Sequence, residues 1–125
     1  MKKLLLTLLT ALMLTGSVWA EWVKIDSNND SDFYIDPETI RKAGNIVRAW
    51  EIQNLKQQAK RGELSRRYRM EYDCTQERNR ILSISTHSGP MASGTTLMSF
   101  SASDQWDSIP PNTVSETVLK IVCAK

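Results

Sequence analysis

Two lysines, Lys2 and Lys3, lead into an uninterrupted apolar and threonine-containing run at residues 4–14, and this opening limits what is left to fold. A basic start followed by a short apolar stretch is the layout of a secretory signal peptide. A run of about 11 residues falls short of the roughly 20 that a membrane-spanning helix needs, which predicts a removable signal and no membrane span in the mature form. Val18, Trp19 and Ala20 present small or β-branched residues at the two positions a signal peptidase reads. The expected division is a signal at residues 1–20 and one domain at residues 21–125 that begins with Glu21. That length supports one hydrophobic core and not two. No cysteine lies near the junction to accept a lipid, so the mature chain is expected to be soluble and exported, periplasmic or secreted, with the cell surface as a further destination.

Only two cysteines occur, Cys74 and Cys123. In an oxidising exported compartment, an even pair without metal-type spacing predicts one disulfide. Closing a loop of about 50 residues would remove unfolded-state entropy worth about 4 kcal/mol in the chain-entropy model.

Charge argues against a polyanion-coating role for the whole molecule. The full chain carries a net +2, but Lys2 and Lys3 depart with the signal and leave a formally neutral domain. Nucleic acid is therefore not an expected partner. The charge is unevenly distributed instead: residues 21–40 hold one lysine against six carboxylates, net −5, whereas residues 41–80 hold eight arginines and three lysines against five carboxylates, net +6.

Period-two alternation dominates after the signal. Arg66, Tyr68, Met70, Tyr72 and Cys74 alternate with Arg67, Arg69, Glu71 and Asp73, which predicts a half-buried strand whose apolar side ends at Cys74. Residues 46–55 form another such run, with Trp50 and Ile52 on one side and Val47, Ala49 and Glu51 on the other. Gly44 and Asn45 mark the turn before it. Leu82, Ile84 and Thr86 alternate with Ser83 and Ser85, and Thr96, Met98 and Phe100 with Leu97 and Ser99. Short strands at residues 22–25 and 33–35 bring the expected meander to about six strands. Near the end, Thr113 and Glu116 have capping-box spacing, and Val114, Val118, Ile121 and Val122 share a helical side, so a helix is predicted from Thr113 onward. Pro110 and Pro111 bar an earlier start. Ideal spacing turns Cys123 away from Val114, so the last turn must unwind or pivot for the thiol to reach Cys74. The predicted class is α+β: an antiparallel sheet with a C-terminal helix packed on one face and one disulfide.

Several short markers occur in order along this domain. They are Phe33, Tyr34, Ile35 and Asp36, followed by Pro37, Glu38, Thr39 and Ile40, then the aromatic strand around Trp50 and the basic strand running into Asp73 and Cys74. Lys120, Ile121, Val122, Cys123 and Ala124 close the series. In this order, with cysteines at a strand end and a helix end, the chain resembles the surface-adhesin protein E family of small exported proteins from Gram-negative bacteria, over nearly the whole mature domain. The resemblance implies an antiparallel sheet and a disulfide-held terminal helix. It further implies a homodimeric adhesin that binds host matrix proteins such as vitronectin and laminin, through the basic strand: Lys60, Arg61, Arg66, Arg67 and Arg69. Such a cationic ridge would attract acidic protein segments or sulfated glycans, which arginine binds in bidentate fashion. The plainer reading makes Arg67 and Arg69 a solvated strand side paired with Glu71 and Asp73. The namesake's signal carries a lipid-attachment cysteine that this chain lacks, which favours a periplasmic role.

Other chemistries fit the residues poorly. Asp26, Asn28, Asp30 and Asp32 begin like a calcium loop, but Ser31 stands where glycine is needed and Pro37 where the bidentate Glu is needed, leaving a polar hairpin turn. His87 is the only histidine, so a His-based zinc cluster is excluded, and no nucleophile elbow accompanies it. It is expected in the loop beside Ser88, Gly89 and Pro90. Trp106 lies in a polar stretch and is expected to fold back over the sheet end or the start of the helix. The expected function is non-enzymatic and needs no cofactor or metal: an adhesin-like binding protein, or a periplasmic envelope-associated protein with a protein or small-ligand partner.

Overall fold

Residues 65–73 form the middle of the architecture because their alternation lets both neighbours pair with them along their whole length. The computed structural model describes residues 21–101 and 104–124, so the expected signal at residues 1–20 lies outside the described part. The elements are β1 (Val23–Ser27), β2 (Ser31–Ile35), β3 (Arg41–Ala43), β4 (Ile46–Leu55), β5 (Ser65–Asp73), β6 (Arg78–His87), β7 (Thr96–Ser101), β8 (Asp107–Ser108) and the helix α1 (Val114–Val122). The main sheet runs β1-β2-β4-β5-β6-β7, with β3 beside β4 and β8 beside β6, every pair antiparallel. This is the expected six-stranded meander with two short additions.

Register follows residue chemistry. Val47 pairs with Tyr72, Ala49 with Met70 and Glu51 with Tyr68, so their side chains share one side of the sheet, which we call the helix side. Val118, Leu119 and Val122 of α1 pack there against Ile35, Val47, Ala49, Met70 and Tyr72. Ile121, expected to face the core, is 39% exposed, and Leu119 takes its place. Helix geometry explains the exchange: at 100° per residue, positions 118, 119 and 122 cluster around one direction that 121 leaves.

Three bulges correct the simple alternation, the first at Ile25, where Lys24 pairs with Tyr34 but Asp26 with Phe33. Arg69 pairs with Ser83 but Met70 with Ile81, so Leu82 is the extra residue and Ile81 stands opposite Met70. Thr86 pairs with Met98 but His87 with Thr96, so Leu97 is extra and Thr96 joins the side of His87 rather than that of Met98. A bulge reverses the facing of all residues beyond it, which an unbroken period-two pattern cannot anticipate. The hairpin between β1 and β2 is the expected polar turn: the Asn28 side chain accepts from the Asp30 and Ser31 amides, both at 2.8 Å.

The helix starts where predicted. Thr113 accepts from the Glu116 amide at 3.2 Å, and the Glu116 carboxylate reaches back to the Asn112 amide at 3.1 Å, one residue before the cap. A nine-residue helix is too short to persist in water by itself, so its cap and its packing hold it. Thr113→Ala should lower stability by about 1 kcal/mol, measurable by urea denaturation; an unchanged midpoint would show that the cap is dispensable. The helix ends at Val122, and Cys123 follows as its cap, bonded to Cys74 across a Cα separation of 5.7 Å. Ending the helix there resolves the problem of the diverging thiol.

Candidate functional site: an arginine and tryptophan face

The side of the sheet away from the helix collects arginine because the alternating positions of β4, β5 and β6 supply it. Arg48, Trp50 and Ile52 of β4 stand opposite Glu71, Arg69 and Arg67 of β5, and Glu71 and Asp73 in turn stand opposite Arg80 and Arg78 of β6. Arg41 of β3, paired with Arg48, extends the row.

Within this array the carboxylates are buried and the arginines form a layer above them. Glu71, 2% exposed, accepts from Arg48 at 2.8 Å through one oxygen and from Arg80 at 2.7 Å through the other. Burial works against its charged form, but the two guanidinium groups outweigh that and hold its pKa below the ordinary carboxylate value. Asp73 is likewise held low, chiefly by the Gln76 amide and also by Arg78 at 3.0 Å. Trp106 folds back onto the sheet, as expected, with Arg78 and Arg80 at 4.7 and 4.4 Å from its ring centroid. At the other end of the face, Arg67 and Arg69 lie over Trp50 at 5.1 and 5.9 Å.

The expected ridge is divided by this geometry. Lys60 and Arg61 are exposed on the loop between β4 and β5. Arg66 lies on the helix side, where its Nε donates to Glu63 at 3.1 Å. Arg67 and Arg69 alone of the five reach the arginine and tryptophan face. Neither pairs with Glu71 or Asp73, whose charges go to Arg48, Arg80 and Arg78. Among the described residues, neither makes an ion pair. The Nε of Arg67 is buried without a hydrogen-bond partner. His87 is not a loop residue but a buried one ending β6, with Ser85 Oγ 2.8 Å from its Nε2 and Thr96 Oγ1 3.4 Å from its Nδ1. Burial and the nearby Arg67 charge push its pKa down. No carboxylate hydrogen-bonds its ring among the described residues, so a Ser-His-Asp relay is not assembled there.

The sequence pattern pointed to Arg67 and Arg69 but missed Arg48, Arg78, Arg80 and Trp50 as their neighbours. Counting alternate positions on β4 and β6 as well as on β5 would have found Arg48 and Trp50; the bulge at Leu82 hid the rest.

Comparison with known proteins bears on this arrangement. The family model for surface-adhesin protein E matches residues 22–124. The chain belongs to the surface-adhesin protein E family. Among solved structures, crystal form II of Haemophilus influenzae protein E is similar with a TM-score of 0.69 at 20% identity, over 86% of this chain and 90% of that one. A second, protein E from non-typeable Haemophilus influenzae, gives a TM-score of 0.63 at 20% identity over 87% and 79%. At such identity the likeness to protein E is one of fold. No curated protein matches the chain. Family membership makes this an adhesin-like protein, and no helix of its described residues is long and apolar enough to cross a membrane.

Proposed function

We propose that the domain is an exported, non-enzymatic adhesin that holds an acidic protein segment or a sulfated glycan, such as those of host matrix, on its arginine and tryptophan face. Arg67 carries this reading: its guanidinium lies over Trp50 and makes no ion pair among the described residues. A carboxylate, or two oxygens of a sulfate, is the group that the guanidinium fork binds in bidentate fashion. Arg69 on the same ring and the exposed Lys60 and Arg61 add charge. The family resemblance supports matrix proteins as the partner class.

Replacing Arg67 and Arg69 together with Ser should weaken binding to heparin or a responsive matrix protein at least tenfold, while stability changes by only about 1 kcal/mol. Binding should also weaken between low and physiological salt, where exposed charges are screened beyond about 8 Å. Salt-insensitive binding, or a double variant that binds like the wild type, would remove the face from consideration.

A second reading, a periplasmic envelope-associated protein, is supported by the Cys74–Cys123 bridge, which engages both cysteines of the sequence within the fold. Protease shaving of intact cells against osmotic-shock release separates the two locations.

A further inference from the structure

On the helix side, away from the arginines, β2, β4, β5, β6 and the first turn of α1 border a cavity of about 270 Å³. Phe33, Met70, Ile81 and Val114 give it apolar walls. Strand alternation sends Glu51 into this space, two positions along from the core residue Ala49. One carboxylate oxygen accepts the Tyr72 hydroxyl, and no other hydrogen bond reaches the carboxylate among the described residues. Asp107 borders the same space from β8, where it pairs with Asn79.

Among the described residues neither acid makes an ion pair, and Asp107 is exposed. Arg80 borders the cavity, but its guanidinium is 2.6 Å from Glu71 and 4.4 Å from the Trp106 ring, on the far side of the sheet. Arg66, also on the helix side, is held by Glu63 and meets the cavity lining at Gln53, 3.5 Å away, and at Tyr68. Burial raises the Glu51 carboxyl to about 7, the Tyr72 hydrogen bond offsetting only part of the rise. Near neutrality it is therefore a poised acid that a neighbouring positive charge would ionise fully. A space with apolar walls on one part, polar groups on another and one carboxylate oxygen unengaged complements a cation borne on an apolar body.

We infer that this cavity is a binding site for a small primary amine, its ammonium received by Glu51 and its apolar body lying between Phe33, Met70 and Val114. Liquid water occupies about 30 Å³ per molecule, so the space suits a ligand of roughly ten non-hydrogen atoms. 2-Phenylethylamine has that size and charge.

Titration calorimetry of the oxidised domain with 2-phenylethylamine at pH 8 tests the site, with 2-phenylethanol as the uncharged analogue and phenylacetate as the anionic one. The amine should bind at least tenfold tighter than the alcohol, and phenylacetate should not bind. Glu51→Gln keeps the side-chain shape and should lower amine affinity at least tenfold. Val114→Phe, which narrows the cavity without touching the acid, should lower it as well. At pH 7, amine binding should release roughly half a proton, read from heats in buffers of different ionisation enthalpy. The Arg67→Ser, Arg69→Ser double variant should bind the amine normally, which separates this site from the anion-binding face. Equal affinity for amine and alcohol, undiminished binding by Glu51→Gln, or no binding of the amine would each overturn the inference.

Discussion

Replacing Cys74 and Cys123 with Ala should destabilise the oxidised domain by about 4 kcal/mol, the largest effect expected of any change considered. The bridge spans a sequence separation of 49 residues, and freeing a loop of that length returns this much conformational entropy to the unfolded chain in the chain-entropy model. Small domains hold only about 5–15 kcal/mol in total, so the variant should sit near the edge of folding. Its structural effect should be local first: α1 has nine residues and is held by its Thr113 cap, by the packing of Val118, Leu119 and Val122, and by the bridge. Urea denaturation of oxidised wild type and variant, with amide exchange along α1, measures both consequences. A loss below about 1 kcal/mol would mean that the unfolded chain is already compact enough for the cross-link to constrain nothing.

Glu51→Gln should stabilise the domain by about 3 kcal/mol at pH 8.5 and change it little at pH 5. A carboxyl raised from 4.5 to about 7 on folding binds its proton more tightly in the native state. The native state is therefore favoured below the unfolded value, and this advantage is lost as pH climbs from about 4.5 through 7. Gln mimics the protonated form and should still accept the Tyr72 hydroxyl. The groups that face Glu51 are the hydroxyls of Tyr72 and Tyr68, Asp107 at the cavity border, and Arg66 by way of Gln53 and Tyr68. Burial first, and Glu51 second, push the Tyr72 hydroxyl well above its usual range, so it stays protonated throughout. Other groups run the opposite way: His87, with its lowered pKa, removes stability as pH falls below about 6.5, and Glu71, Asp73 and Asp32 remove it at more acid pH. Comparing the two proteins at each pH cancels these shared contributions. Parallel stability profiles for wild type and variant would show that Glu51 titrates normally.

Much of the fold was legible because alternation and capping are local signals. The long runs at β4 and β5, the start of α1 at Thr113 and the Cys74–Cys123 pair could each be read without knowing what they touch. The three bulges could not, since an extra residue at Ile25, Leu82 or Leu97 is decided by the strand opposite and leaves no mark on its own segment. The site was less legible for a related reason. Arg67 and Arg69 were visible as basic residues on an outward side, but their relation to Trp50 and the capture of Glu71 by Arg48 and Arg80 depend on three strands lying side by side. Alternation alone places Glu51 on the side of Val47 and Ala49, yet nothing in the sequence marks that this side keeps an open space there.

Because β4 and β5 send alternate residues to opposite sides, the two surfaces of the sheet are interleaved in one stretch of chain. Substitution can remodel one surface and leave the other alone, which allows a shared fold at 20% identity to Haemophilus influenzae protein E. Length cannot change so freely. One residue inserted in the middle of β4 would carry Glu51 to the arginine side and Trp50 into the core, exchanging the surfaces wholesale. Insertions during divergence should therefore collect in the loop between β4 and β5, where Lys56, Gln57, Lys60 and Arg61 are exposed and such a change reverses nothing.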